Sequence, residues 1–380
     1  MAATEDDRVA ITGVGMVGAL GHDAVTNCAA ARAGLSRAEE LDVLNFAGDE
    51  RWGNEPVVGH TVARLAEGFV GIGKLVLLAE TALRDAVGRA GLRPETSGET
   101  GLFVNFSDQY FERAVSERRP DSGGDGSPSS DDAALEASRA DQRALVQRLT
   151  ERNGWSASHG GAIHGGHAGF ASALRDALHA IETGALDRAL VGGVDACVDP
   201  RALVAAAACG VLKTAANPVG FMPGEAAGFV VLERARTARA RGASADVLVA
   251  SPALEREAYH RLAGEPPIGR ALARAVAAAL GASEAGGAAG FVVADLNGDP
   301  FRAQEWGYAL VRLTERWRLG DRPLWLPAIA FGEVGAATGA VALCVAVRAL
   351  QRGYAPGARA LVALAGDDDR RAAFCVTASH

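Results

Sequence analysis

Two apolar helical patterns, each led in by glycines, decide what this chain can fold into. The first follows His167: an apolar stripe at helical spacing runs from Phe170 through Ala173/Leu174 and Ala177/Leu178 to Ile181. The second, VGAATGAVALCVAV (334–347), is built mostly of small apolar residues and runs for 14 residues before Arg348. That is too short to span a bilayer and suits a buried core helix. A helix apolar on every side must be covered on every side. The sequence supplies the cover as short apolar runs that read as strands, at 8–13, 101–106, 188–196 and 228–234. A second series stands at 245–251, 290–296, 324–330, 360–365 and 373–378. Each series has an early strand, a buried small-residue helix introduced by glycines, and two closing strands. One plan used twice predicts an α/β protein of two halves, residues 1–240 and 241–380, stacked as a layered sandwich.

The remaining composition narrows the function classes. A net charge of −8 argues against a nucleic-acid surface. Five scattered cysteines without CxxC spacing suggest a reducing compartment. No signal pattern opens the sequence, and a cytoplasmic protein with no membrane partner is expected. A stretch rich in charge, from Asp108 to about Trp155, reads as a flexible insertion whose tip is SGGDGSPSSDD (122–132). GVGMVG (13–18) fits the dinucleotide pattern GxGxxG, but no convincing strand ends in an acid about 20 residues on. A tight turn after the first strand is the plainer reading, and no cofactor is expected.

Several segments, in order along nearly the whole chain, resemble the β-ketoacyl synthase family. They are VAITGVGMVGALG (9–21), ALRDALHAIETGALDRALVGGVDA (173–196), NPVGFMPGEAAGFVVLERA (217–235) and FGEVGAATGAVAL (331–343). The resemblance implies a thiolase-like, five-layered α-β-α-β-α sandwich. In that family a cysteine at the start of the first buried helix takes the acyl chain as a thioester, its pKa lowered by the helix dipole. Two histidines from the second half stabilise the enolate formed on decarboxylation. Counted back from Gly192 and Gly193, with Gly184 and Asp187 in register, the nucleophile's place falls on His167, or on Gly166 if a gap intervenes. The first histidine's place falls on Asp295, the second on Glu333, and an expected lysine on Ala328. After His260 the only histidine is His380. The glycine-rich closing loop of the family is replaced by GDDDRR (366–371), read as a solvated hairpin turn.

Two functions follow from the resemblance. Chain-length factors of type II polyketide systems resemble synthases, lack the nucleophilic cysteine, and pair with an active synthase. HAGFASAL from His167 and ADLNGDPFRAQEW (294–306), with Glu305, are similar to such subunits. This reading expects a dimer with a cysteine-bearing ketosynthase, service by an acyl carrier protein, and a dimer face near residues 100–107 and the insertion. The alternative is a repurposed enzyme in which His167, Asp295 and Glu333 converge as a general acid–base set. A histidine with two carboxylates is also a facial-triad composition, although no metal is expected. Cys209 reads as a small buried residue, His164 as support for the turn, and Glu225 as structural.

Overall fold

A computed structural model describes residues 5–41, 57–93, 98–118, 130–156, 158–282 and 288–379. The strands are β1 (Val9–Val17), β2 (Glu39–Glu40), β3 (Val58–Gly59), β4 (Thr100–Phe106), β5 (Gly160–His164), β6 (Arg188–Ala196) and β7 (Glu225–Arg234). They continue as β8 (Val247–Val249), β9 (Ala253–Arg256), β10 (Phe291–Ala294), β11 (Leu324–Trp325), β12 (Arg359–Ala365) and β13 (Arg370–Ala378). Apart from the β2–β3 ribbon, they form one 11-stranded sheet in which two sets of five have the same order.

The first set runs β5-β4-β6-β7-β1 and the second β11-β10-β12-β13-β8, with β9 beside β13. Numbered within its own set, each reads third, second, fourth, fifth, first. The directions repeat as well: the first three strands of each order are parallel, and the last two joints are antiparallel. The sets meet where β1 touches β8 at the single pair Ala10–Leu248.

The helices are α1 (Ala24–Arg32), α2 (Gly71–Arg89), α3 (Tyr110–Glu117), α4 (Ser130–Arg152), α5 (Gly166–Glu182) and α6 (Pro200–Ala208). Then come α7 (Ala235–Ala240), α8 (Arg270–Gly281), α9 (Pro300–Trp317), α10 (Ala328–Phe331) and α11 (Thr338–Gln351). The two small-residue helices, α5 and α11, lie between the two sets of strands, where one apolar cluster includes Phe170, Leu174, Val341 and Leu343. The opposite face of the first set carries α2 and α4, and that of the second carries α8 and α9. This is the five-layered sandwich of duplicated halves. Strands covered on both faces read as continuous apolar runs, which is why they are legible in the sequence.

Three expectations change. Gly13 and Gly15 lie inside β1, and a Cβ on either would stand under 3.0 Å from a backbone carbonyl of α2, on Ala86 or Ala82. The glycines let a helix lie on the strand, and only Gly18–Gly21 forms a tight turn. The run 324–330 is a strand only at Leu324–Trp325; Pro327, which has no N–H for a ladder, introduces α10 instead. Within the supposed loop 108–155, α3 and α4 are helices, and Leu145, Val146 and Leu149 of α4 pack into the outer core. Most of SGGDGSPSSDD, residues 122–129, lies outside the described residues.

Candidate active site

The site forms where the glycine-led openings of α5 and α11 meet. Gly166, with φ +52, turns the chain out of β5, and His167 follows in the first turn of α5, only 5% exposed. Positive φ strains a residue with a Cβ, so glycine belongs there. Asn105, at the end of β4, clips the two openings together: its Nδ2 donates to Gly166 O (2.7 Å) and to Ala336 O (2.9 Å).

His167 and Glu333 come together directly. His167 Nε2 donates to Glu333 Oε1 at 2.6 Å. Glu333 is held from three further sides. Its backbone pairs with Met222 and Gly224, its Oε1 accepts the Gly335 N–H, and its Oε2 accepts from Asn297. Asp295 does not reach the histidine; its Oδ2 accepts from Ala365 N–H (2.7 Å) and Arg302 Nη1 (2.9 Å). Arg302 stands between them, with Nη2 3.1 Å from His167 Nδ1. The three sequence candidates therefore converge only through an arginine that sequence reading passed over. Its position on α9, after the helix cap formed by Asp299, is the signal that was available.

The GDDDRR turn also departs from expectation. Asp367 faces inward, 3.6 Å from His167 Nδ1, and accepts from Arg302 Nη2 (3.1 Å) and Arg261 Nε (2.8 Å). Arg261 also pairs with Asp299. Arg371 is fully buried and donates to Glu305 Oε1 at 2.6 Å. Asp368 and Asp369 pair with Arg370 and Arg256. Inward carboxylates are tolerable here because buried guanidinium groups meet them.

These contacts set the protonation states. Burial opposes ionisation of Glu333, but His167 and Arg302 hold its carboxyl down at about 2. Burial and Arg302 disfavour the imidazolium of His167; Glu333 and Asp367 outweigh them and raise its pKa. Asp367 is held below the usual carboxylate range against burial, by Arg302 and Arg261. Asp295 is pushed up by burial, which Arg302 only partly offsets.

His167, Glu333 and Asp367 border a cavity of about 190 Å³ that extends toward α3, α4 and α6. Cys197 lines it as well, and burial raises that thiol well above its usual range, so it rests as a poor nucleophile. Cys209 caps the C-terminus of α6, half-buried, and does not line the cavity. His164 bonds Gln142 (2.9 Å) and stacks on Phe106. Glu225 accepts from Val62 N–H and pairs with Lys74 at 2.7 Å, a structural role. Ala328 opens α10. Among the described residues no cluster of three or more His, Cys, Asp or Glu side chains is arranged to hold a metal, and no helix is long and apolar enough to cross a membrane.

Known proteins share this architecture. A family model for the β-ketoacyl synthase N-terminal domain matches residues 6–238. The phenolphthiocerol synthesis polyketide synthase type I Pks15/1 of Mycobacterium bovis is 32% identical over 202 residues, 48% of this chain and 9% of that protein. The chain thus spans less than a tenth of that relative's length. Among solved structures, the ishigamide ketosynthase/chain length factor aligns with TM-score 0.75 and 21% identity over 98% of this chain and 100% of that one. A type II polyketide synthase acyl-carrier protein in complex with its hexaketide-bound ketosynthase gives TM-score 0.77 and 20% identity, over 98% and 100%. An oxazolomycin ketosynthase domain from Streptomyces albus gives 0.75 and 19%, over 98% and 74%. At such identities these structures speak to the fold; the family model, which covers more than half of the sequence, identifies the chain as a member of the β-ketoacyl synthase family.

Proposed function

We propose that this chain is a β-ketoacyl synthase homologue without the Cys-His-His condensing triad, acting as a chain-length-factor-like partner subunit in type II polyketide or fatty acid biosynthesis. In this reading it pairs in the cytoplasm with a cysteine-bearing ketosynthase, and an acyl carrier protein serves the pair. The observation that carries the reading is the elbow itself. At the place that the sequence correspondence gives to the family's acyl-carrying cysteine, His167 is buried and bonded to Glu333, with Arg302 against its other nitrogen. No thiol stands there, and the cysteine that lines the cavity is held protonated. The fold-sharing structures described as a ketosynthase/chain length factor and as a carrier protein with its ketosynthase are consistent with such partners.

The dimer face is proposed at β5 and α4. Among the described residues β5 has a sheet neighbour only in β4, whereas β4 lies between β5 and β6 and has no free edge. An open strand edge of this kind invites pairing with another chain.

One observation favours a second reading. His167 and Glu333 form a short hydrogen bond and both line the cavity, the arrangement of a general acid–base pair. His167→Gln in the reconstituted pair separates the two. A scaffold keeps its rate, product length and partner binding almost unchanged. An enzyme using His167 as base loses roughly 10²–10⁴-fold in rate with the complex intact.

A further inference from the structure

Beside α1 and the last turn of α11 lies a second cavity, of about 670 Å³, which shares no lining residue with the one at His167. The two helices touch where Cys28 Sγ stands 3.9 Å from Cys344 O. Side chains four apart share a helix face, so Arg32 and Arg348 follow one turn on, and Arg352 a further turn along the chain of α11. All three arginines line the cavity, and no acidic residue does. Tyr354 also lines it and carries Arg32 over its ring, with the guanidinium carbon 4.2 Å from the ring centroid. Trp325 in turn stacks on Tyr354, at 6.3 Å between centroids. Stacking uses the flat face of a guanidinium and leaves its N–H edge unspent. Half-buried Arg348 has only a neutral partner, Gln351 Oε1 at 3.4 Å. Among the described residues none of the three has a carboxylate partner or donates to a helix-end carbonyl. That is a departure in a chain of net charge −8, in which Arg261, Arg302 and Arg371 all meet carboxylates.

We infer that this cavity binds a small phosphate-bearing ligand, with Arg32, Arg348 and Arg352 as its charge partners. A guanidinium presents a planar fork of N–H donors and no acceptor, which fits phosphate oxygens in pairs. Three such groups around one concavity suit a ligand group with more than one negative charge, and a phosphate monoester carries about −1.5 to −2 at neutral pH. Two of the cations reach a common point of the wall. Burial raises the pKa of the Tyr354 phenol, and the charges of Arg348 and Arg32 act against that rise. Arg32 is held over Tyr354 before any ligand arrives, so less side-chain freedom is lost on binding. The cavity has many times the space that one water needs, and Val25, Ala29 and Ala33 give the organic part of a ligand an apolar side. This inference goes beyond the partner role and does not rest on it.

The test is calorimetric titration of the full chain with inorganic pyrophosphate, and with hexaglutamate as a carboxylate polyanion. Sedimentation with vesicles of pure phosphatidylglycerol separates a free phosphate from a lipid headgroup. The expected result is saturable single-site binding of pyrophosphate that weakens as salt is added, with weaker binding of hexaglutamate and no sedimentation with the vesicles. Arg348→Gln removes no ion pair and should weaken pyrophosphate binding about tenfold or more, the loss of one charge-assisted contact. Arg32→Gln should weaken it several-fold. Arg148→Gln, at an exposed arginine of α4, should change nothing, which separates the cavity from general attraction to basic side chains. The inference is overturned if pyrophosphate does not saturate, if folded Arg348→Gln binds it like the parent, or if Arg148→Gln weakens it as much. Hexaglutamate binding as tightly as pyrophosphate, or vesicle binding that Arg348→Gln abolishes, would overturn it in favour of an acidic polypeptide or a membrane surface.

Discussion

Glu333→Gln probes the buried network at its centre. The amide keeps the volume, and its oxygen still accepts the Gly335 N–H. What disappears is the negative charge bonded to His167 and felt by Arg302. The carboxyl sits at about 2 against an ordinary 4.5. At about 1.4 kcal/mol for each pH unit, that difference stabilises the folded state by about 3 kcal/mol. The cost is limited because His167 can release its proton once Glu333 is gone. The sign of the pH dependence follows from both partners. Glu333 has a lowered folded pKa, so its contribution is present above 4.5 and is lost as pH falls toward about 2. His167 has a raised folded pKa, so its share is whole below 6.5 and is lost as pH rises through the folded value. Urea unfolding of parent and variant across a pH series should therefore show a stability gap that is widest between those limits and narrows at both ends. A gap that stays flat with pH, or no gap near neutrality, would refute the ion pair.

Asp367→Asn should cost more than Glu333→Gln, about 3–5 kcal/mol, because Arg261 and Arg302 cannot shed their charge when the shared carboxylate is lost. Equal unfolding midpoints for the two variants would contradict that. Gly15→Ala should destabilise by about 1–3 kcal/mol, since its Cβ runs into the backbone of α2 and the strand or helix must shift. An unchanged melting temperature would show that the helix does not lie on the strand as described.

The sandwich was largely readable because its strands and central helices are buried on both faces, and burial on both faces writes itself as apolar runs. β5 was not readable. GGAIH is short and glycine-rich, and only its place beside β4 makes it a strand. α4 was hidden by its charge: its apolar contacts are confined to a few positions near its C-terminal end, such as Leu145, Val146 and Leu149. In the site, position gave His167 and Glu333, which are 166 residues apart and meet at 2.6 Å. It could not give Asp367. Whether a turn of three aspartates faces water or the core depends on what waits inside, and Arg261 and Arg302 arrive from segments 106 and 65 residues away. Asp295 lies beside these groups, but Arg302, seven residues on, takes its carboxylate away from the histidine.

The central claim is that no acyl chain is carried at the elbow and that condensation depends on a partner's cysteine. Intact-mass analysis of this chain after incubation with acyl- and malonyl-carrier thioesters tests it, alone and with a cysteine-bearing ketosynthase. The account predicts an unmodified mass and no product from the chain alone, and product only in the pair, with the acyl adduct on the partner. An acyl adduct on this chain, at Cys197, Cys209 or His167, together with turnover by the chain alone, would contradict it.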